Sequence, residues 1–211
     1  MILAIDSCGA TGSIALARWD SETVTVVAQL ELVGKTFAAQ LVPAIRKLLA
    51  DHAVTAPQVQ AIVVVNGPGS FTGVRIGVSA AKGFAEALQI PVIAISRLAL
   101  LARKAGTRAA ALDAGRHEYY FGSYENEFPE ESLLTAQEIR ARSVSPVAIS
   151  EPALASNIPG AILVPPPDAS EALEAAIPRL LARDYDDVAA LDGNYVRRSP
   201  AELFARPAVA K

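Results

Sequence analysis

The sequence predicts an α/β protein made of two lobes. In the first half, β-rich runs and helical runs follow one another in the order βββαβαβα. Each half also opens with a strand that ends in an aspartate, Asp6 or Asp113, followed by a turn of small residues and a second strand. This repetition indicates an internal duplication, so we assign residues 1–106 to a first lobe and residues 107–211 to a second, reduced lobe.

The first lobe is expected to start with an antiparallel meander of three strands. Met1–Ile5, Ser13–Trp19 and Thr23–Leu32 are rich in β-forming residues, and glycine or polar turns separate them. Residues Thr36–Ala50 carry apolar side chains at helical spacing and predict the first helix. The continuous apolar run Ala61–Asn66 is typical of a buried strand.

A glycine-rich turn then leads into a long helix, predicted over Phe71–Leu88. A short strand, Pro91–Ile95, and a helix capped by Ser96 complete the first lobe. The second lobe is expected to contain further strands, a helix with a capping box and a last helix. The predicted elements are the strands Arg108–Asp113, His117–Tyr124, Val147–Ile149 and Ala161–Val164, the helix opened by Thr135–Glu138, the helix Ser170–Ala182, and the extended tail Asn194–Arg198.

The charge balance excludes one class of function. The chain of 211 residues has 19 Lys and Arg against 22 Asp and Glu, a net charge of -3. A stand-alone nucleic-acid binder needs a surplus of cations to neutralise phosphates, so we do not expect this chain to bind nucleic acid by itself. Charged residues make up 19% of the chain, below the typical share of about 25%, which favours a partner that covers part of the surface.

Other features bear on compartment and metal binding. No apolar run approaches the roughly 20 residues of a membrane span, and Asp6 with no basic leader before it argues against a signal peptide. The single cysteine, Cys8, cannot form an internal disulfide, which suits a reducing cytosol. His52 and His117 lie in unrelated contexts and are too few for a histidine-rich metal cage. We therefore expect a cytoplasmic protein without a membrane segment or an intrinsic metal.

Two loops have the composition of phosphate-binding turns. Asp6–Ser13 joins two strands through small residues and hydroxyls, whose backbone N–H groups could approach a phosphate. Gly67–Arg75 is a strand-to-helix turn whose helix N-terminus could receive an anion. Both loops are also compatible with plain turns in which glycine supplies unusual backbone angles. The phosphate-binding candidates are Asp6, Ser7, Ser13, Gly67, Gly69, Ser70, Gly73 and, in the second lobe, Asp113.

The second loop departs from the known nucleotide and hydrolase templates. Its glycine spacing from Gly67 is one residue too long for a dinucleotide fingerprint, and no lysine follows Gly73 as a P-loop requires. Ser70 lacks the flanking glycines of a hydrolase nucleophile elbow and has no obvious histidine base. Asp6 and Asp113 could still face each other across a cleft and hold a metal-bound nucleotide.

The helix Phe71–Leu88 carries its polar residues along one narrow stripe. About five positions in seven are small or apolar, whereas a surface helix needs about three. Gly73, Gly77 and Ala81 recur every four residues, so a second helix could approach closely. That helix could be the one that begins at Thr36, or it could belong to another subunit.

Four segments carry a family resemblance: Asp6-Ser7 with Ser13–Leu16, Gly67–Gly77, Asp113–Tyr120, and Asn194–Arg197. Together they resemble the TsaB (YeaZ) family of bacterial tRNA threonylcarbamoyladenosine biosynthesis proteins, from Met1 to about Glu202. The block Gly67–Gly77 is the most specific of the four. The resemblance implies an actin-like/sugar-kinase (ASKHA, RNase H-like) fold of two lobes, which agrees with the element order.

The resemblance also implies a function. Members of the family are non-catalytic scaffold or activator subunits of the complex that forms N6-threonylcarbamoyladenosine next to the anticodon of tRNAs. The catalytic partner is a TsaD-like paralogue that holds iron or zinc through a histidine pair, and a TsaE-like ATPase joins the two. Without its partner the chain would form a homodimer, its tRNA contacts would be indirect, and ATP or ADP and Mg would enter only at the complex. The interface candidates on the first-lobe helices are Phe37, Leu41, Ile45, Gly73, Gly77, Ala80, Ala81 and Phe84.

The chain departs from the family pattern in two places. Phe37-Ala38-Ala39 stands where many relatives carry His-Ser-Glu, and Ala114-Gly115-Arg116 stands where Ala-Arg-Arg is usual. The first change makes the first helix more apolar and leaves open whether its partner is a TsaD-like chain or a second copy.

Two other functions remain as alternatives. One is an actin-like-fold, Mg-ATP-dependent small-molecule kinase that uses Asp6, Asp113 and the loop Gly67–Gly73. The other is a peptidase, for which the sequence offers neither a metal site nor a nucleophile beside a base.

Overall fold

Two five-stranded sheets, one in each half of the chain, form the frame of the protein. The computed structural model describes residues 1–20, 23–33, 36–125 and 129–196. The first half follows the predicted order of strands and helices, with a short 3-10 turn at Ala56–Gln58. Its elements are β1 (Ile2–Asp6), β2 (Gly12–Trp19), β3 (Val24–Leu32), α1 (Phe37–Asp51), β4 (Ala61–Val65), α2 (Phe71–Leu88), β5 (Val92–Ile95) and α3 (Arg97–Ala105).

The second half has shorter elements and an additional strand. A 3-10 turn at Pro152–Leu154 stands where the first half has its longest helix. The predicted tail is described as far as Val196, and its last predicted residues, Arg197 and Arg198, lie outside the described ranges. The elements are β6 (Ala109–Gly115), β7 (Glu118–Ser123), β8 (Glu130–Thr135), α4 (Ala136–Ala141), β9 (Val147–Ile149), β10 (Ala161–Leu163) and α5 (Ala169–Ala182).

The two sheets share one topology, which confirms the predicted α/β fold with two lobes. The first has the strand order β3-β2-β1-β4-β5 and the second the order β8-β7-β6-β9-β10. In each, the first three strands are antiparallel neighbours, and the fourth and fifth run parallel to the first. Asp6 and Asp113 thus lie at or near the carboxyl ends of equivalent central strands.

Helices cover both faces of the first sheet. All residues of β1 and β4 are buried, although successive side chains of a strand point to opposite faces. α1, α2 and α5 all contribute buried side chains to the same hydrophobic core as these strands. Within the described ranges, none of the helices combines the length and the apolar character that crossing a bilayer requires.

α3 and α5 are exchanged between the lobes. α3 follows the first sheet in sequence but packs against β6, β7 and β9, where Leu98 and Leu101 enter the core of the second lobe. α5 follows the second sheet but packs against the first, where Leu173 and Leu180 are fully buried. The predicted boundary at residue 106 separates the strands of the two sheets along the sequence. α3 and α5, however, each pack against the sheet on the other side of that boundary.

β8 is a strand that the sequence did not predict. It begins with the acidic pair Glu130 and Glu131 and pairs with β7 in antiparallel register. Glu131 accepts hydrogen bonds from the hydroxyls of Tyr124 (2.6 Å) and Ser96 (2.5 Å) and from the side-chain amide of Asn194. This carboxylate therefore joins the second sheet to the start of α3 and to the C-terminal segment.

Candidate functional site

A cleft of about 640 Å³ lies between the two lobes. Its walls come from the loop after β1, the start of α2, the start of α3 and the segments that follow β6 and β9. Ligands of open α/β folds bind at such carboxyl ends of strands, because the chain turns there and leaves a crevice. The described residues that line the cleft are Cys8, Gly9, Ala10, Thr11, Phe37, Gly69, Ser70, Thr72, Gly73, Ile76, Arg97, Leu112, Asp113, Ser150, Glu151 and Pro166.

Two glycines allow the start of α2 to lie directly against the loop after β1. Ser70 caps the helix by accepting a hydrogen bond from the Gly73 N–H at 3.3 Å. A Cβ on Gly69 would overlap the carbonyl oxygen of Cys8, and a Cβ on Gly73 would overlap that of Ser7. The glycines of this turn therefore serve a close backbone approach.

The structure brings four of the eight predicted phosphate-binding residues to the cleft. Gly69, Ser70, Gly73 and Asp113 line it. Asp113 is exposed and accepts a hydrogen bond from the Gly115 N–H at 2.9 Å. A phosphate role for these four stays a prediction.

The other four predicted residues lie outside the described lining of the cleft. Ser7 donates to the Gly73 carbonyl at 2.7 Å, and Ser13 accepts from the Ala169 N–H at 2.9 Å, so both hydroxyls hold helices in place. Asp6 is buried and accepts a hydrogen bond from the Cys8 N–H at 2.8 Å. Gly67 has a φ of 105°, which glycine tolerates, and it lies against the C-terminal segment at Asn194.

Arg97 is a cleft residue that the sequence did not single out. Its side chain is only 7% exposed, and its guanidinium donates to the Cys8 carbonyl at 3.4 Å. Burial raises the pKa of Asp6, and the Arg97 cation is the largest opposing influence on that pKa. Arg97 therefore acts as the internal counter-charge of the buried carboxylate.

Glu151 is the second residue that the sequence did not single out. It follows β9 on the second-lobe wall of the cleft, and its Oε2 is buried without a hydrogen-bond partner. Burial raises the pKa of Glu151, while Arg97 lowers it and the nearby Asp113 raises it further. A usable signal was available for both residues, because each is a charged residue two positions beyond the end of a strand.

The two carboxylates that the kinase alternative uses are placed differently, because Asp113 lines the cleft and Asp6 does not. Asp6, the candidate carboxylate in the first lobe, is 2% exposed and already balanced by the buried Arg97. Among the residues that the structure describes, no three His, Cys, Asp or Glu side chains are grouped so that they could hold a metal ion. The kinase alternative and the expected absence of an intrinsic cofactor both stay predictions.

The structure corrects the interface prediction at most of its positions. Gly73, Gly77 and Ala81 are buried against the chain's own first sheet, and a Cβ on Gly77 would meet the Ser7 hydroxyl at 2.5 Å. Phe37, Leu41 and Ile45 on α1 are buried in the same core. The spacing of the small residues predicts a partner surface. In the structure these small residues instead allow α2 to pack closely against β1 and the loop that follows it. Only Ala80 and Phe84 are partly exposed.

A different set of residues on α1 and α2 is open to a partner. Val42 on α1 is 45% exposed, and Val33 just before α1 is 70% exposed. Ala38, Ala39 and Pro43 on α1, and Gly83 and Ala87 on α2, are exposed as well. We name these residues, together with the partly exposed Ile76, Ala80 and Phe84, the α1–α2 face.

Comparison with known proteins identifies the class to which this fold and cleft belong. The family model for TsaD, tRNA N6-adenosine threonylcarbamoyltransferase, matches residues 30–141, just over half of the chain. The TsaB protein of Bacillus subtilis (strain 168) is 40% identical over 129 residues, which are 59% of this chain and 55% of that protein. The TsaB protein of Escherichia coli (strain K12) is 36% identical over 132 residues, 60% of this chain and 55% of that protein.

Solved structures extend the similarity to nearly the whole chain. YeaZ from Pseudomonas aeruginosa has a TM-score of 0.76 and 26% sequence identity, over 92% of this chain and 99% of that one. A second Pseudomonas aeruginosa structure, described as an uncharacterized protein with similarity to the peptidase YeaZ, has a TM-score of 0.78 and 27% identity over 93% and 99%. The chain belongs to the TsaD family, and it is similar to proteins named TsaB and YeaZ. It spans about half the length of the curated TsaB relatives that it matches.

Proposed function

We propose that this chain takes part in tRNA threonylcarbamoyladenosine biosynthesis as a non-catalytic scaffold subunit. It pairs with a TsaD-like catalytic subunit and has no turnover alone. The observation that carries the proposal is the similarity to proteins named TsaB, tRNA threonylcarbamoyladenosine biosynthesis protein, at 36% to 40% identity.

The α1–α2 face supports the proposed pairing. Its exposed residues are alanine, valine and proline on α1 and glycine and alanine on α2. Exposed charged residues on the same helices include Arg46, Lys47, Arg75 and Glu86. The core of a protein interface is depleted in charged residues, and small side chains let facing helices approach closely. Two helices presented side by side can pack against a helix pair of a partner as a four-helix contact.

The positions of the histidines support a division of labour between the subunits. His52 is exposed at the end of α1, and His117 is exposed in the turn between β6 and β7, so they lie on different lobes. The histidine pair that the family resemblance assigns to the catalytic paralogue has no counterpart in this sequence. The proposal therefore places the metal chemistry in the TsaD-like subunit.

The proposal extends to the remaining partners and to the compartment. A TsaE-like ATPase joins the complex, the chain forms a homodimer in the absence of its partner, and tRNA contacts this chain only indirectly. Any ATP or ADP and Mg enters at the assembled complex. The buried, unpaired Cys8 is compatible with the reducing cytoplasm, to which the proposal assigns the protein.

Reconstitution tests the catalytic part of the proposal. Purified chain and the TsaD-like subunit of the same organism are combined with tRNA and the other pathway components, and the modified nucleoside is quantified by mass spectrometry of digested tRNA. We expect product with both subunits and none with this chain alone. Undiminished product when the chain is omitted, or product from the chain without the TsaD-like subunit, would overturn the proposal.

Two matched variants test the docking surface. Val42→Asp places a charge on the α1–α2 face, whereas Leu163→Asp places one on a residue of β10 that is similarly exposed, at 52%. By size-exclusion chromatography with light scattering, Val42→Asp should abolish the heterodimer and Leu163→Asp should leave it intact. Equal association of both variants would show that the partner docks elsewhere.

A further inference from the structure

Two residues that line the cleft between the lobes, Arg97 and Glu151, each carry a buried polar atom that lacks a hydrogen-bond partner, and the two atoms have opposite character. They are Nε of Arg97, a donor, and Oε2 of Glu151, an acceptor when the carboxyl is ionised. The other two such side-chain atoms in the described part of the chain, on Trp19 and Ser132, are absent from the cleft lining. Buried polar groups are nearly always hydrogen-bonded, so an unpaired donor and an unpaired acceptor on residues that line one cavity call for an explanation.

Arg97 is held in a fixed position on the first-lobe wall of the cleft by burial and by a hydrogen bond. Its side chain is more than nine-tenths buried, and it lines the cleft beside Gly9 and the first turn of α2. Its hydrogen bond to the Cys8 carbonyl is long, at 3.4 Å, and leaves Nε unused. A guanidinium held in this way is suited to bind one carboxylate or similar anion of a ligand, to which it donates hydrogen bonds.

The wall of the cleft that the second lobe contributes carries acidic residues, in contrast to the cationic Arg97 on the other wall. Glu151 and Asp113 both line the cleft there, and their mutual proximity raises the pKa of Glu151. Arg97 is the one cation among the described lining residues, and it also balances Asp6 behind the wall. With carboxylates in excess, the cleft disfavours a bare polyanion such as a nucleotide triphosphate. It favours a ligand that brings a positive charge together with a negative one.

We propose that this cleft binds a small zwitterion of the α-amino acid class. The ligand carboxylate accepts hydrogen bonds from Arg97 and faces the start of α2 at Ser70–Gly73, and the ligand ammonium donates to Glu151. The volume of about 640 Å³ is ample for a small molecule. A ligand of this kind carries an acceptor that suits Arg97 and a donor that suits Glu151. The inference stands on the cleft alone and does not depend on assembly with a partner.

Calorimetry on the purified full chain tests the ligand class. The probes are the twenty standard amino acids, with acetate as the anion without an amine and ethylamine as the amine without an anion. Inorganic phosphate and ATP, each with and without Mg²⁺, complete the set. At least one amino acid is expected to saturate the protein below about 10 mM, and both single-charge probes to bind at least about ten-fold more weakly. No saturation by any amino acid, or binding of phosphate or ATP in its place, would overturn the proposal.

Variants then locate the site. Arg97→Gln and Glu151→Gln should each weaken amino acid binding at least about ten-fold. Arg103→Gln on the exposed side of α3 and Glu174→Gln on the exposed side of α5 make the same chemical changes away from the cleft and should bind like the wild type. Arg97 is buried, so Arg97→Lys, which keeps the positive charge, is expected to disturb folding less than Arg97→Gln. Glu151 is partly exposed, so Glu151→Gln should fold as well. Thermal melts of each variant establish that it is folded. Binding by folded Glu151→Gln and Arg97→Lys that equals the wild type would refute the assignment.

Discussion

The hydroxyl of Ser7 donates a hydrogen bond to the carbonyl oxygen of Gly73 at 2.7 Å. This bond joins the end of β1 to the first turn of α2, and both residues are buried. Gly73 is required at this contact because a side chain there would occupy the position of the Ser7 backbone oxygen. The glycine at position 73 of the glycine-rich turn is therefore explained by packing between a strand and a helix.

A pair of glycine substitutions on α2 tests this packing. We expect Gly73→Ala to lower the free energy of unfolding by about 3 kcal/mol or more, because the overlapping atom belongs to the backbone and cannot rotate away. Gly83→Ala, on the same helix with open space around its Cα, should raise stability by about 0.5–1 kcal/mol. Urea denaturation measures both. A Gly73→Ala protein as stable as Gly83→Ala would contradict the close approach.

The buried hydroxyl of Ser13 is predicted to be structural. Ser13→Ala leaves the Ala169 N–H at the start of α5 without its acceptor, and we expect a loss of about 1–3 kcal/mol in the free energy of unfolding. Ser79→Ala on the exposed side of α2 is the control and should change stability by less than about 0.5 kcal/mol. Equal stability of the two variants would argue that Ser13 serves a ligand instead.

The three hydrogen bonds to Glu131 predict a second stability difference. Glu131→Gln replaces one acceptor oxygen with a donor that faces the donors of Ser96, Tyr124 or Asn194. The expected loss is about 1–3 kcal/mol in the free energy of unfolding. The neighbouring Glu130 makes an exposed ion pair with Arg142, so Glu130→Gln should cost no more than about 1 kcal/mol. Urea denaturation of the two variants measures the difference. Equal losses for Glu131→Gln and Glu130→Gln would show that the three hydrogen bonds to Glu131 contribute no more than a surface charge.

Glu151 predicts a pH dependence of stability. Burial raises its pKa above the ordinary value of 4.5, so the folded protein holds this proton more tightly than the unfolded chain does. The free energy of unfolding should therefore fall as pH rises from 4.5 through the raised pKa. Glu151→Gln lacks this contribution and should gain stability relative to the wild type over the same pH interval. Parallel stability curves for the two proteins from acid to neutral pH would show that the carboxyl is not perturbed.

Much of the fold was predictable from the sequence because local signals and packing agree. The limits of α2 were predicted at Phe71 and Leu88, since Ser70 is a strong cap and the apolar pattern is unbroken between them. The capping box at Thr135 likewise marks the start of α4. The repeat of strand, turn and strand after Asp6 and Asp113 predicted the duplicated topology that the two sheets show.

Features that depend on distant partners could not be predicted in this way. β8 has no alternation of apolar and polar residues, and its pairing with β7 and the bonds to Glu131 are long-range contacts. Gly77 and Ala81 have the spacing of a docking stripe, but spacing alone does not say whether the facing surface is a partner or the chain's own strand. Arg97 follows β5 and Glu151 follows β9, and both line one cleft because the carboxyl ends of these two strands face it.

The crossed placement of the last helix of each lobe has a consequence for biosynthesis. The strands of the first sheet leave the ribosome early, yet the helix that contributes Leu173 and Leu180 to their core is made more than seventy residues after Ile95. The half that is translated first therefore completes its hydrophobic core only after the second half has been translated. A fragment that stops at Gly106 would leave one face of that sheet open to water and would carry α3 with no surface to cover.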